Sequence, residues 1–181
     1  MARIFLALSV DKDLNDQIIE IKKELKANLL KDANISWQKN DHHHLTVYFI
    51  GEMEPEQITQ MNKDLFEYNF NNFSRLIEIT DISFFPNENS QVLAALVKSN
   101  SHLETLYEVV NKIVVNIGLG SDLKTYRPHI TLGRFKEKER PEYIFESFER
   151  SLKGRIKHLD VLQTEFDKGK TEYTLLKSFE L

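Results

Sequence analysis

The stretch Arg127-Pro128-His129-Ile130-Thr131-Leu132-Gly133-Arg134-Phe135 decides how this chain is read, and it has a partner in His44-Leu45-Thr46-Val47-Tyr48-Phe49-Ile50-Gly51. Both contain His-x-Thr followed by an apolar residue, inside runs that read as strands. Successive side chains of a strand point to opposite faces. His44 and Thr46 therefore share a face, as do His129 and Thr131, while Leu45, Val47, Ile130 and Leu132 turn the other way, into a core. Each stretch displays one imidazole and one hydroxyl from an apolar strip. The two copies stand close to half a chain apart, as expected if each half supplies one strand to a shared site.

Composition bounds what such a site serves. The chain has 181 residues, 41% of them apolar and 29% charged, and a formal net charge of −4. A protein that grips long nucleic acid without regard to sequence is usually basic. This one is expected to touch a small ligand or the end of an RNA. It has no cysteine, which removes disulfides, zinc-thiolate sites and cysteine nucleophiles and fits a reducing compartment. No apolar run reaches the length of a membrane span, and Met1-Ala2-Arg3-Ile4-Phe5 lacks the layout of a signal peptide. The chain reads as cytoplasmic, with no membrane and no obligate protein partner, and as a monomer.

The elements around the two motifs follow from periodicity. Residues 3–10 read as a central strand, with Ile4, Leu6 and Leu8 on one face and Arg3, Phe5 and Ala7 on the other. Asp11 or Asp13 caps a helix whose stripe is Leu14, Ile18, Ile21, Leu25 and Leu29. Ile35-Ser36-Trp37 is a short strand, and 38–43 is a polar loop leading into His44. Pro55 opens a second helix with Ile58, Met61 and Leu65 inward, and Asn69–Asn72 breaks it. Residues 74–85 and 92–97 form a hairpin turned at 86–90. A third helix carries Leu103, Leu106, Val110, Ile113 and Ile117, capped by Gly118 or Gly120. Residues 137–150 suggest a short exposed helix. Residues 155–166 and 172–181 close the chain as a hairpin turned at Asp167-Lys168-Gly169-Lys170. Together these predict an α+β fold in one domain over 1–181, with two pseudo-symmetric lobes of mainly antiparallel sheet, helices packed outside and a central cleft.

One His-x-Thr arises easily by chance, and a histidine on a strand is more often a packed residue than a catalyst. Two copies with matched parity point to paired imidazoles, which suit general acid–base chemistry near neutral pH. Hydroxyls beside them suit a phosphate or another oxyanion.

This arrangement resembles the 2H phosphoesterase superfamily and, within it, the RNA 2′,3′-cyclic phosphodiesterases of the LigT/ThpR type, once called 2′-5′ RNA ligases. The resemblance covers nearly the whole chain. Arg3-Ile4-Phe5-Leu6-Ala7-Leu8 is similar to the family's opening strand. His44-Leu45-Thr46 through Gly51-Glu52 resembles its first motif, and Arg127 through Arg134 its second. The closing hairpin, with Tyr173 and Phe179-Glu180-Leu181, is also similar. The resemblance implies His44 and His129 as the catalytic pair, Thr46 and Thr131 as phosphate holders, and Arg134 as a further phosphate-binding residue. Strand parity alone puts Arg134 opposite His129, so that role needs a strand end or a bulge. Phe5, Tyr48 and Arg127 are candidate substrate contacts. Phe5 is by type a core aromatic, and Tyr48 stands where relatives often carry a basic residue.

The implied reaction needs neither metal nor cofactor. A water deprotonated by one imidazole attacks the cyclic phosphate of an RNA 3′ end or a small cyclic nucleotide. The other imidazole protonates the leaving ribose oxygen. The family makes His129 the base and His44 the acid, and has the ring open on the 3′ side to leave a 2′-phosphate. Three alternatives stay open. One is another 2H activity, on 2′-5′ linkages or ADP-ribose 1″,2″-cyclic phosphate. Another is ligation through the same site, and the last is non-catalytic binding of phosphate-ended nucleotides. His42-His43-His44 also suggests a metal site, but no Asp or Glu at helical spacing completes one, and His42 and His43 read as exposed loop. His102 is placed at a helix start and His158 on the exposed face of a strand.

Overall fold

In the computed structural model, residues 1–29, 33–68, 70, 73–120, 125–136, 151–167 and 170–181 are described. The elements run β1 (Ala2–Val10), α1 (Lys12–Glu24) continued by a π-helical turn (Leu25–Leu29), β2 (Ile35–Trp37), a 3-10 turn (Asn40–His42), β3 (His44–Met53), α2 (Pro55–Glu67), β4 (Leu76–Phe85), β5 (Val92–Val97), α3 (Ser101–Asn116), β6 (His129–Phe135), β7 (Leu152–Asp167) and β8 (Lys170–Glu180). Residues 137–150, expected as an exposed helix, lie outside the described residues, as do Lys168 and Gly169 at the last turn.

Each helix follows from its caps and its stripe. Asp11 accepts a 2.9 Å hydrogen bond from the Leu14 N–H and starts α1, which buries Leu14, Ile18 and Ile21. Pro55 is the first residue of α2, and the Gln57 side chain accepts from the Glu54 N–H at 3.0 Å. Asn100 caps α3, which buries Leu103, Leu106, Val110, Ile113 and Val114. Satisfying these first-turn donors and burying one apolar stripe is what stabilises a helix of this length.

Among the described residues eight strands form one sheet, and every pairing is antiparallel. The order is β1-β3-β6-β5-β4-β7-β8, with β2 beside β6. The path also closes on itself. The first residues of β7 pair with β4, and Ile156 to Thr164 pair with β1. β1 is thus central, flanked by β3 and β7, as its two-sided apolar sequence predicts. α1 packs against β7 so closely that a Cβ on Gly154 would overlap the Leu14 side chain.

The two halves repeat one local design. β1, α1 and β3 correspond to β5, α3 and β6. Ala7 pairs with Thr46 and Leu6 with Tyr48, leaving Val47 as an extra residue. Ala94 pairs with Thr131 and Leu93 with Gly133, leaving Leu132 as an extra residue. Each motif strand therefore bulges immediately after its threonine. Leu45, Val47, Ile130 and Leu132 are all buried in the core.

Candidate functional site

β3 and β6 meet at one paired position, Leu45 with Ile130, in antiparallel register. Carrying that register one residue each way brings His44 level with Thr131 and Thr46 level with His129. Antiparallel neighbours of this kind have Cβ atoms about 4.5–5.5 Å apart. Two imidazoles and two hydroxyls thus form a crosswise set on one face of the sheet. The small Ala7 and Ala94 stand beside the two threonines on the flanking strands.

Both rings are held in the same way. His44 Nδ1 lies 2.8 Å from the His42 carbonyl oxygen, and His129 Nδ1 lies 2.9 Å from that of Arg127. A carbonyl only accepts, so Nδ1 carries the proton in both. In a neutral ring Nε2 is then the unprotonated nitrogen, and in neither ring does Nε2 bond the described residues. Burial lowers the His44 pKa to about 4. The bond to the His42 carbonyl works against that shift, and the nearby His42 and His129 add to it. Burial likewise lowers the His129 pKa, opposed by its carbonyl bond and assisted by the Arg127 charge.

The surroundings of the two rings differ. His129 stacks on Phe85 with centroids 3.6 Å apart and planes at 19°. The Arg127 guanidinium lies 5.2 Å from the Phe85 ring centroid and donates through Nη1 to the Pro86 carbonyl at 2.6 Å. His44 rests on Phe5 at 5.3 Å and meets Tyr173 edge-on at 5.4 Å. A cleft of about 420 Å³ opens on the Thr46–His129 side, lined further by Tyr48, Phe49, Phe85, Pro86, Tyr107, Thr125, Tyr126 and Arg127. The Tyr126 hydroxyl donates to the Thr46 carbonyl at 3.0 Å, and that of Tyr48 to Asn111 Oδ1 at 2.9 Å.

Arg134 is where parity alone would not put it. The bulge at Leu132 inserts one residue, so Arg134 falls on the side of His129 and Thr131 while Phe135 is buried. Arg134 is exposed and outside the cleft wall. The matching bulge at Val47 does the same for Phe49, which is 70% exposed. Phe5 offers no face to a base: it is 1% exposed, covered by His44, Phe49 and Tyr173. Phe49, stacked over it at 5.5 Å, is exposed in its place.

His43 corrects the reading of 38–43 as exposed loop, for it is 6% exposed. Its Nδ1 lies 2.7 Å from Asn15 Oδ1 and its Nε2 2.9 Å from Lys22 Nζ. His42 lies on a helical turn rather than a strand and packs on Tyr173 at 5.2 Å. Among the described residues no three His, Asp or Glu side chains gather where a metal ion could bind. His102 opens α3 as expected, against Phe73. His158 is half-buried rather than exposed, with Nδ1 3.5 Å from the Ser9 hydroxyl oxygen. Among the described residues no helix is long and apolar enough to cross a membrane.

Sequence reasoning missed Phe85, Tyr107, Tyr126 and Lys22. The first three come from a hairpin end, a helix flank and a loop, with no shared spacing. Lys22 did leave a signal, since it continues the Leu14–Ile18 step of four onto the buried face of α1.

Two His-x-Thr strands joined crosswise at the centre of an antiparallel sheet can set a phosphate between two proton-transfer groups and two hydroxyls. A family model described as LigT like Phosphoesterase matches residues 8–93. The RNA 2′,3′-cyclic phosphodiesterase of Methanocaldococcus jannaschii is 25% identical over 166 residues, covering 91% of this chain and 86% of the relative. That of Archaeoglobus fulgidus is 29% identical over 154 residues, covering 81% and 83%. Escherichia coli LigT in its apo form superposes with a TM-score of 0.75 at 20% identity, covering 99% and 96% of the two chains. A Thermus thermophilus protein, TT0787, gives 0.78 at 19%, covering 99% and 97%. The chain is similar to the LigT-like phosphoesterases of the 2H family, with RNA 2′,3′-cyclic phosphodiesterases among its homologues.

Proposed function

We propose that the chain hydrolyses 2′,3′-cyclic phosphate ends of RNA or of small nucleotides, with His44 and His129 as the proton-transfer pair. The observation that carries this is the crosswise set at the Leu45–Ile130 pairing, where both rings keep Nε2 for a ligand. A monoanionic phosphodiester held between the rings has a hydroxyl from each half beside it. Water attacks phosphorus and gives its proton to one Nε2. The bond from phosphorus to the ribose 3′ oxygen breaks, and that oxygen takes a proton from the other ring. Thr46 and Thr131 stabilise charge on the phosphoryl oxygens, and Arg134 adds attraction from the rim. The product is a 2′-phosphate.

Two further points support a nucleotide substrate. The aromatic side chains beside His129 give a base a surface to stack on. Escherichia coli LigT has been crystallised with 3′-AMP and with ATP, which makes a nucleotide the first ligand to try here.

The test is turnover of 2′,3′-cyclic nucleotides, of cyclic-phosphate-ended RNA and of 2′-5′ oligonucleotides in excess EDTA, with products identified by phosphorus NMR. A 2′-phosphate from the cyclic substrates is expected. Cleavage of 2′-5′ linkages alone would replace this reading with the other 2H activity, and binding without turnover would make the protein a nucleotide binder.

A further inference from the structure

Lys22 is the one lysine among the described residues that is buried, at 2% exposure. An ammonium group has three donors, and each has one acceptor here: the Gln38 carbonyl at 2.6 Å, Asn40 Oδ1 at 3.0 Å and His43 Nε2 at 2.9 Å. All three acceptors belong to 38–43, the segment that enters β3 at His44. Because Lys22 only donates, His43 Nε2 must accept, and His43 Nδ1–H then donates to Asn15 Oδ1 at 2.7 Å. Asn15 and Lys22 stand seven residues apart on α1, so one face of that helix holds His43 by both nitrogens.

The carbonyl that orients His44 sits inside this clamp. The His42 oxygen accepts from His44 Nδ1 and also from Gln38 Nε2 at 3.3 Å. Its peptide joins His42 to His43, and both His43 and Asn40, two residues before His42, are tied to Lys22. The second half meets the same need differently. There the carbonyl belongs to Arg127, which is anchored through its own guanidinium to Pro86. Burying a lysine costs free energy unless its donors are met. A segment that only had to connect β2 to β3 would not require one.

We infer that Lys22 is a positioning residue for His44, fixing through the 38–43 segment the carbonyl that sets the tautomer and aim of the imidazole. The inference rests on His44 being one of the two proton-transfer groups. Burial, with Lys26 nearby, lowers the Lys22 pKa to about 8, so the clamp is charged at pH 7.

The test uses the full chain and two readouts. Long-range proton–nitrogen NMR reports which ring nitrogen of His44 is protonated, with no need for turnover. Steady-state kinetics on 2′,3′-cyclic AMP separates kcat from KM. In the wild type His44 is expected as the single Nδ1–H form. In Lys22→Met it is expected to populate both tautomers, with kcat down about 10- to 100-fold and KM within about twofold. Lys22→Gln, which keeps donors on a shorter side chain, takes its place if the Met variant does not fold. A wild-type His44 already mixed between tautomers would overturn the inference, as would a folded variant with unchanged His44 signals or unchanged kcat. If the wild type turns over no cyclic phosphate, the proposed function fails, while the NMR comparison still decides whether Lys22 orients His44.

Discussion

Leu45 and Ile130 pair directly across the antiparallel contact of β3 and β6, and among the described residues the two strands share no other paired position. The cleft, lined by Thr46 and His129 among others, lies beside this contact. The pairing also crosses the two halves: the histidine of each motif stands level with the threonine of the other. A phosphate seated there would touch one ring and one hydroxyl from each half of the chain.

His44→Gln and His129→Gln should therefore each lower kcat/KM on a 2′,3′-cyclic nucleotide by about 10²–10⁴. Thr46→Val and Thr131→Val should each cost about 1–3 kcal/mol of transition-state stabilisation, as for a hydrogen bond to a charged group. The crossed pair His44/Thr131 should be non-additive by about 0.5–3 kcal/mol in a double-mutant cycle, because both act on one phosphate. Strict additivity for that pair, in variants shown to be folded, would mean that the register does not bring the two groups to one ligand.

Gly133 tests the second bulge. A Cβ there would lie 2.9 Å from Ile35 Cγ2 and 3.1 Å from the Ser36 carbonyl oxygen. β2 crosses β6 at that point, with Trp37 opposite Gly133 and Ser36 opposite Arg134. Gly133→Ala should push β2 outward and cost about 1–3 kcal/mol, the usual penalty of overpacking, read as a lower Tm. Its KM for cyclic phosphate should also rise, because Arg134 on β6 pairs with Ser36 of the displaced strand. A variant with wild-type Tm would show that β2 yields without strain.

Much of this layout was legible in the sequence, because it depends on periodicity. The stripes of α1, α2 and α3, the parity of both motifs and the strand at Ile35-Ser36-Trp37 need only local rules. The bulges were not legible. A bulge is one unpaired residue, visible only against the partner strand, so Arg134 and Phe49 could not be placed by alternation. His43 misled for a related reason. In His42-His43-His44 all three residues look polar, but the half-buried Asn15 and the buried Lys22 on α1 make the middle one the best buried. Phe5 was readable as core by type, and the structure places it beneath the histidine.

Stability should fall as the solution is acidified below neutrality. Burial, reinforced by Lys22, lowers the His43 pKa to about 3, and burial lowers that of His44 to about 4. In the unfolded chain both titrate near 6.5. Between those limits the unfolded state binds more protons than the folded one. The stability is fully present above pH 6.5 and is lost as pH falls toward 4, by up to about 1.4 kcal/mol per pH step for each ring. His43→Gln retains a donor and an acceptor for Asn15 and Lys22 but cannot titrate. Its denaturation midpoint should depend less steeply on pH between 4 and 6.5 than that of the wild type. Equal slopes would mean that His43 is protonated in the folded protein.

Ligand binding should take up a proton. Acid–base catalysis needs one neutral and one protonated imidazole, yet both pKa values are lowered in the ligand-free protein, leaving both rings mainly neutral at pH 7. An anion between them reverses the balance, since an opposite charge within about 4–6 Å favours the protonated form. The bound state then holds more protons than the free state between the two pKa values. By linkage, affinity must rise as pH falls through that window. Sulfate is the suitable probe, because it does not itself titrate between pH 5.5 and 8. Calorimetry in two buffers of different ionisation enthalpy should show uptake of up to about one proton per sulfate near pH 6.5. The uptake should shrink when either His44 or His129 is replaced by Gln, the loss being larger for whichever ring carries the proton. The same proton then serves as the acid in turnover, so kcat against pH should be bell-shaped, with limbs that belong to the pair rather than to single residues. Sulfate binding without proton uptake would leave the site with two neutral imidazoles and no acid for the leaving oxygen, and the paired-histidine mechanism would have to be abandoned.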